Sequence, residues 1–104
     1  AMKNITEKLQ SRGAESLADE ELLAVIIADD TTDERAKGVA SELLASAEGS
    51  LQRVVDTDIM RLRMISGLGL KRAMRLKAAA ELGRRVAVAD VDSYEYVTSD
   101  SDVV

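Results

Sequence analysis

Apolar residues recur at helical spacing along most of the chain, with recognisable start and stop signals between them. Ile5 and Leu9 stand at i and i+4 in a short helix predicted over 3–12, and Gly13 fits just past its end. Ser16 offers an N-cap with Asp19 three residues on, a relative of the capping box. Leu22, Leu23, Val25, Ile26 and Ile27 form a short, nearly all-apolar element that periodicity alone leaves open between buried strand and buried helix. The acidic first turn Asp19-Glu20-Glu21 favours helix. Residues 28–35 are polar and acidic, a loop. Val39, Ala40, Leu43, Leu44 and Ala47 then line one face of a helix over 36–47.

Gly49 can supply a left-handed position after that helix, and Ser50 can cap a short one through Leu51, Val54 and Val55. Asp58 is placed to cap the next, whose apolar residues are Ile59, Leu62 and Ile65. Ser66-Gly67-Leu68-Gly69 interrupts it, and a long helix is predicted from about 70 to 86 with Ala73, Leu76, Ala80 and Gly83 on one face. A glycine inside a helix costs roughly 1 kcal/mol against alanine, so Gly83 predicts close helix packing there. Met60, Met64 and Met74 are expected as core filler. Residues 90–104 hold five acids and no base, without periodicity, and read as a linker or the start of something else. The apolar helix ending at Ile27, its loop and the helix from Ala36 weakly echo the helix-turn-helix at 59–86.

The predicted fold class is all-α, a compact multi-helix domain. The chain has 104 residues, one domain's worth, and is 46% hydrophobic, nearly all of it Ala, Leu, Val, Ile and Met. Phe, Trp, Pro and Cys are absent, and Tyr94 and Tyr96 are the sole aromatics. Without Cys there are no disulfides and no thiolate chemistry, which fits a cytoplasmic location. Without His a zinc site would need carboxylates alone, and neither a Ser/His/Asp nor a Cys/His set can form. No catalysis, metal or cofactor is predicted. No apolar run is long enough to span a membrane, and no signal-peptide layout opens the chain. Ala1 reads as a tag remnant ahead of an initiator methionine.

The net charge of −5 conceals a segregation. Residues 59–86 hold eight basic side chains against Glu81 alone, a net of +7, and the remainder carries −12. Screening confines each field to about 10 Å, so a basic patch can attract a phosphate backbone inside an acidic chain.

That patch surrounds Leu62-x-x-Ile65-Ser66-Gly67-Leu68-Gly69-Leu70-Lys71-Arg72-Ala73, the pattern of a helix-hairpin-helix. The first N–H groups of the second helix lack intrahelical acceptors, and the helix dipole makes that end positive. Gly67 and Gly69 allow a tight turn and close approach of a phosphate, Leu68 would pin the hairpin inward, and Ala73 keeps the two helices close. Lys71, Arg72 and Arg75 stand in the first turns. The candidate DNA-binding residues are therefore Ser66, Gly67, Leu68, Gly69, Lys71, Arg72 and Arg75, contacting backbone without reading bases. The plain alternative is a helix-helix turn with arginines on a solvated face. Lys77/Glu81 and Glu81/Arg85 read as surface pairs at i, i+4. Asp29, Asp30, Asp33 and Glu34 lack the ligand spacing of a calcium loop.

Glu7-Lys8-Leu9, the run from Arg12 to Ala24 (RGAESLADEELLA), Gly49-Ser50-Leu51, the hairpin ISGLGLKRA and Leu76-Lys77-Ala78-Ala79-Ala80-Glu81-Leu82-Gly83-Arg84-Arg85 together resemble the N-terminal region of RadC-family proteins, in consistent order from about 5 to 86. The resemblance implies a multi-helix fold with the helix-hairpin-helix at 66–73, in a family long described as DNA repair proteins. Residues 97–104 resemble the opening of that family's second domain, a metallopeptidase-like (MPN/JAMM) fold with a His-rich zinc motif to which no residue here corresponds. The implied organisation is a helical domain over 3–88, its hairpin unit at 58–86, and an acidic linker or truncated following domain at 89–104. Implied partners are duplex or branched DNA and the metallopeptidase-like domain in cis. Two departures stand out. Ala28-Asp29-Asp30 replaces a usual Gly-rich loop, so no anion contact carries over there, and Leu70 stands where Pro often follows the turn.

Two functions follow as expectations: a non-catalytic, non-specific DNA-binding module, or a protein-interaction domain that keeps the fold without DNA affinity.

Overall fold

The computed structural model describes residues 2–99, with side chains described for 2–89. Among these there are six α-helices and no strand: α1 (Met2–Arg12), α2 (Asp19–Ile27), α3 (Ala36–Ser46), α4 (Leu51–Asp56), α5 (Ile59–Leu62) and α6 (Leu70–Ser99). The all-α expectation holds, and the ambiguous 22–27 run is helix.

Start and stop signals account for most of the boundaries. Gly13 ends α1 at φ +87, its N–H donating to Leu9 O at 3.0 Å. Glu48 and Gly49 both turn left-handed after α3, and the Gly49 N–H reaches back to Leu44 O at 2.8 Å, which closes the helix end. Ser50 Oγ accepts from Arg53 N at 3.2 Å, and Asp58 Oδ1 from Arg61 N at 2.9 Å, so both predicted caps form. The cap expected at Ser16 does not. A 3-10 turn, Ala14–Ser16, takes that residue, whose hydroxyl donates to Gly13 O at 2.7 Å. The N-cap of α2 is Ala18, which has no side-chain acceptor. Only the return half of a capping box exists, with Ala18 N donating to Glu21 Oε1 at 2.9 Å. The same carboxylate receives Lys8 Nζ at 2.9 and 3.0 Å, tying α1 to α2.

The core joins all six helices. Met2 and Ile5 of α1 meet Leu23, Ala24 and Ile27 of α2 and Ala36, Val39, Ala40 and Leu43 of α3, with Val54, Leu62, Leu68, Ala73 and Leu76 closing the other side. Met60, Met64 and Met74 lie outside it, 71%, 83% and 54% exposed, against the expectation that they fill the core. Met60 precedes buried Leu62 by two residues, which turns it to the far side of α5, Met64 lies in the turn past the end of α5, and Met74 follows buried Ala73.

Helix α6 is longer than the pattern predicts, continuing past 86 and through the 88/89 position to Ser99. The reason is that the chain has no Pro and no Gly after Gly83, so nothing stops the helix. Side chains from Asp90 and the whole of 100–104 lie outside the described residues, and with them the expectation of a separate tail. Every residue from Leu82 to Ala89 is exposed, because α6 has by then left the core. Gly83 is exposed too, with no atom of the described residues within 4 Å of where a Cβ would stand, so the expected close packing is absent among them. Gly83→Ala should accordingly raise stability by about 0.5–1 kcal/mol, read as a higher urea midpoint at unchanged slope.

Candidate nucleic-acid interface

The candidate residues lie around the turn between α5 and α6. Backbone bonds from Arg63 N to Ile59 O (3.0 Å), Ile65 N to Leu62 O (3.1 Å) and Leu68 N to Ile65 O (3.0 Å) wind the chain out of α5. Leu68 is 1% exposed and Ala73 fully buried, as their inward roles require. Gly67 adopts φ +87, and a Cβ there would lie 2.7 Å from Val39 Cγ2 on α3. Both backbone conformation and space therefore demand glycine. Gly69 has no such constraint: nothing lies within 4 Å of its Cβ position, and its backbone is open. Its carbonyl accepts the first helical bond of α6, from Ala73 N at 2.9 Å. The N–H groups of the first turn are thus left to solvent or a ligand.

Of the seven candidate residues, Ser66, Gly67, Gly69 and Lys71 are exposed at the turn and Leu68 lies beneath it. Arg72 and Arg75 are occupied elsewhere. Arg72 Nη1 donates to Gly67 O at 2.8 Å, bracing the turn, and Nη2 to Asp33 Oδ2 at 2.8 Å and Asp29 Oδ2 at 3.1 Å. Arg75 Nη2 donates to Asp29 Oδ1 and to Ile27 O, each at 2.9 Å, and Nη1 to Ala28 O at 2.9 Å. A cation so placed satisfies the last carbonyls of α2 and complements the negative end of its dipole. The side chain of Arg72 is 18% exposed and that of Asp33 12%, whereas Asp29 remains 56% exposed.

The acidic loop is itself folded. Asp33 accepts from Asp29 N (3.0 Å) and Arg35 N (3.2 Å), and Asp30 Oδ1 from Thr32 N (2.8 Å) and Thr32 Oγ1 (2.6 Å). No group of three or more potential metal ligands assembles among the described residues.

The other cations of the basic segment divide in the same way. Lys77 does not pair with Glu81 as expected but donates to Val55 O near the end of α4, at 2.7 Å. Glu81 instead takes Arg84 at 2.9 Å as well as the expected Arg85 at 2.8 Å. Arg61, Arg63 and Lys71 are exposed and make no ion pair among the described residues. Sequence reasoning missed the Arg72 and Arg75 partners. The signal was the opposite charge of 28–35, in a loop that departs from the RadC-like pattern at Asp29 and Asp30.

These pairings set two measurable properties. Gly67→Ala should cost about 2 kcal/mol or more, since it combines backbone strain with a clash, whereas Gly69→Ala should be nearly neutral in the same denaturation series. Several carboxyls are held below their ordinary range: Glu21 by Ala18 N and Lys8, Asp29 by Arg72 and Arg75, Asp30 by Thr32, and Glu81, lowered to about 2, by Arg84 and Arg85. Lowered folded-state values mean that the unfolded chain binds more protons as pH falls below the ordinary 3.8–4.5. The chain has no His to titrate near neutrality. Tm should therefore be level from pH 7 to 5 and fall between pH 4.5 and about 2.

The UPF0758 N-terminal family matches residues 5–74, which include α2, α3, the acidic loop and the α5–α6 turn. A UPF0758 protein of Alkaliphilus metalliredigens is 34% identical over 97 residues, covering 93% of this chain and 42% of the relative. UPF0758 protein TTE0897 of Caldanaerobacter subterraneus subsp. tengcongensis is 36% identical over 98 residues, 94% of this chain and 42% of its own length. A UPF0758 protein of Staphylococcus carnosus is 39% identical over 98 residues, 92% of this chain and 42% of the relative. The chain spans about two fifths of the length of these relatives. No solved structure matches it. The chain belongs to the UPF0758 family and carries its N-terminal domain, the RadC-like region that the sequence resembles.

Proposed function

We propose that this domain is a non-catalytic helix-hairpin-helix module that binds nucleic-acid backbone without sequence preference. The observation that carries the reading is the α5–α6 turn: left-handed Gly67, buried Leu68 and open Gly69 present the unpaired first-turn N–H groups of α6 next to exposed Lys71. An anion meets both donors and a positive helix end there. The cation set differs from the one the motif alone implies. Arg61, Arg63 and Lys71 contact phosphate, while Arg72 and Arg75 brace the turn against the acidic loop. With no His and no Cys, catalysis belongs to the part of the longer relatives that this chain does not match, in line with the metallopeptidase-like domain implied by the resemblance.

The second reading, a protein-interaction domain, is favoured by one specific observation. Met60, Leu70 and Met74 on the two helices that flank the turn, and Met64 just past the end of α5, are all exposed, and flexible thioether side chains suit a partner surface that repacks.

Titration of a labelled duplex at two or more salt concentrations separates the two. Two or three phosphate contacts give a log K against log salt slope of about −2 to −3, from roughly −0.9 per phosphate. Arg63→Glu with Lys71→Glu should abolish binding and leave the far-ultraviolet dichroism unchanged. Unaltered affinity in that folded double variant removes the DNA reading from this face.

A further inference from the structure

Arg72 and Arg75 stand in the first turns of α6, where a cation would meet an anion at the hairpin, and both already hold anionic oxygens of the same chain. Asp29 and Asp33 place carboxylate oxygens 2.8–3.1 Å from the two guanidinium groups, the geometry a phosphate diester would adopt. Three features make these oxygens exchangeable rather than fixed. The Asp29 side chain is 56% exposed, so water and solute anions reach its ion pairs. The Arg75 anchors on Ile27 O and Ala28 O do not involve a carboxylate, so releasing Asp29 leaves the end of α2 satisfied. Asp33 also keeps a loop bond that the arginine does not share, since Arg35 N donates to Oδ1 whereas Asp29 N and Arg72 both donate to Oδ2.

We infer that the acidic loop is a built-in competitor for the anion site of the hairpin, its Asp29 and Asp33 carboxylates occupying Arg72 and Arg75 until phosphate displaces them. The inference rests on the backbone-binding reading above and adds the regulation of that site. The binding surface then has two tiers. Arg61, Arg63 and Lys71 are available at once, and the two arginines join only when the carboxylates are displaced. Weak duplexes meet three cations, and a ligand that places phosphates against the loop meets five.

The test compares two double variants of the chain with the same change in charge on the same loop. Asp29→Asn with Asp33→Asn removes the carboxylates that hold the arginines. Asp30→Asn with Glu34→Gln leaves those contacts in place. With a labelled duplex, the first variant should steepen the log K against log salt slope by up to about 2, from roughly −0.9 for each arginine freed, while the second keeps the wild-type slope. Modification of Arg72 and Arg75 by phenylglyoxal, followed by mass spectrometry without DNA, should run severalfold faster in the first variant alone. Equal slopes and equal modification rates in the two variants overturn the competitor and leave the DNA reading intact. Faster modification with no duplex binding by any variant overturns both, since the freed arginines then have no phosphate to take. Binding by the first variant where wild type shows none supports the competitor in its strongest form. Should the double variant fail to fold, Asp29→Asn alone, at the more exposed carboxylate, should give an intermediate slope, and an unchanged slope in it overturns the proposal.

Discussion

The whole domain depends on backbones coming close together. With no Phe or Trp in the chain, the interior cannot be filled by large rings, and it closes by bringing helices near enough for alanine and leucine to meet. Ala24, Ala36, Ala40 and Ala73 are fully buried, one on α2, two on α3 and one on α6. That proximity has two consequences at the turn. It carries Gly67 against Val39, where a single added methyl group would collide. It also brings the first turns of α6 beside the carboxyl end of α2, where Arg75 finds two carbonyl oxygens and Arg72 finds Asp33. The ion-pair cluster is thus a product of close packing, not its cause.

Features set by neighbouring residues were legible in the sequence. Gly13 and Gly49 as helix stops, Ser50 and Asp58 as caps, Leu68 as the inward pin and Ala73 as the spacer each depend on residues a few positions away, and each is where the pattern puts it. Ser16 is an exception at the same scale. A 3-10 turn consumed its hydroxyl, and a cap without any side-chain oxygen served instead. The methionines and Gly83 were misread for a different reason. Each has a plausible helical phase, but whether a phase is buried depends on where the neighbouring helix ends, and no periodicity within α6 reports that it outruns its support after Glu81.

The candidate site was legible as a backbone conformation and less so as a set of charges. Counting residues 59–86 as +7 treats every cation as available, whereas five of the eight already have partners within the chain. Partners 39 to 47 residues away in the sequence, such as Asp33 for Arg72 and Ala28 for Arg75, leave no local mark except the opposite sign of the loop. Net charge over a segment therefore bounds the field at the α5–α6 turn from above, and the pairing decides how much of it faces outward.

One feature of α6 couples the two ends of the domain. The helix that begins at the turn continues unbroken to Ser99, and its side chains are already exposed from Leu82 to Ala89. A helix advances about 1.5 Å and rotates about 100° per residue. Insertion or loss of one residue between Gly83 and Ser99 would leave the α5–α6 turn untouched yet swing the end of the arm through more than a quarter turn. The angular phase between the α5–α6 turn and any later residue of α6 is then a property of the count of residues between them. Length changes there act as rotations, and only multiples near a full helical turn leave the two facing as before.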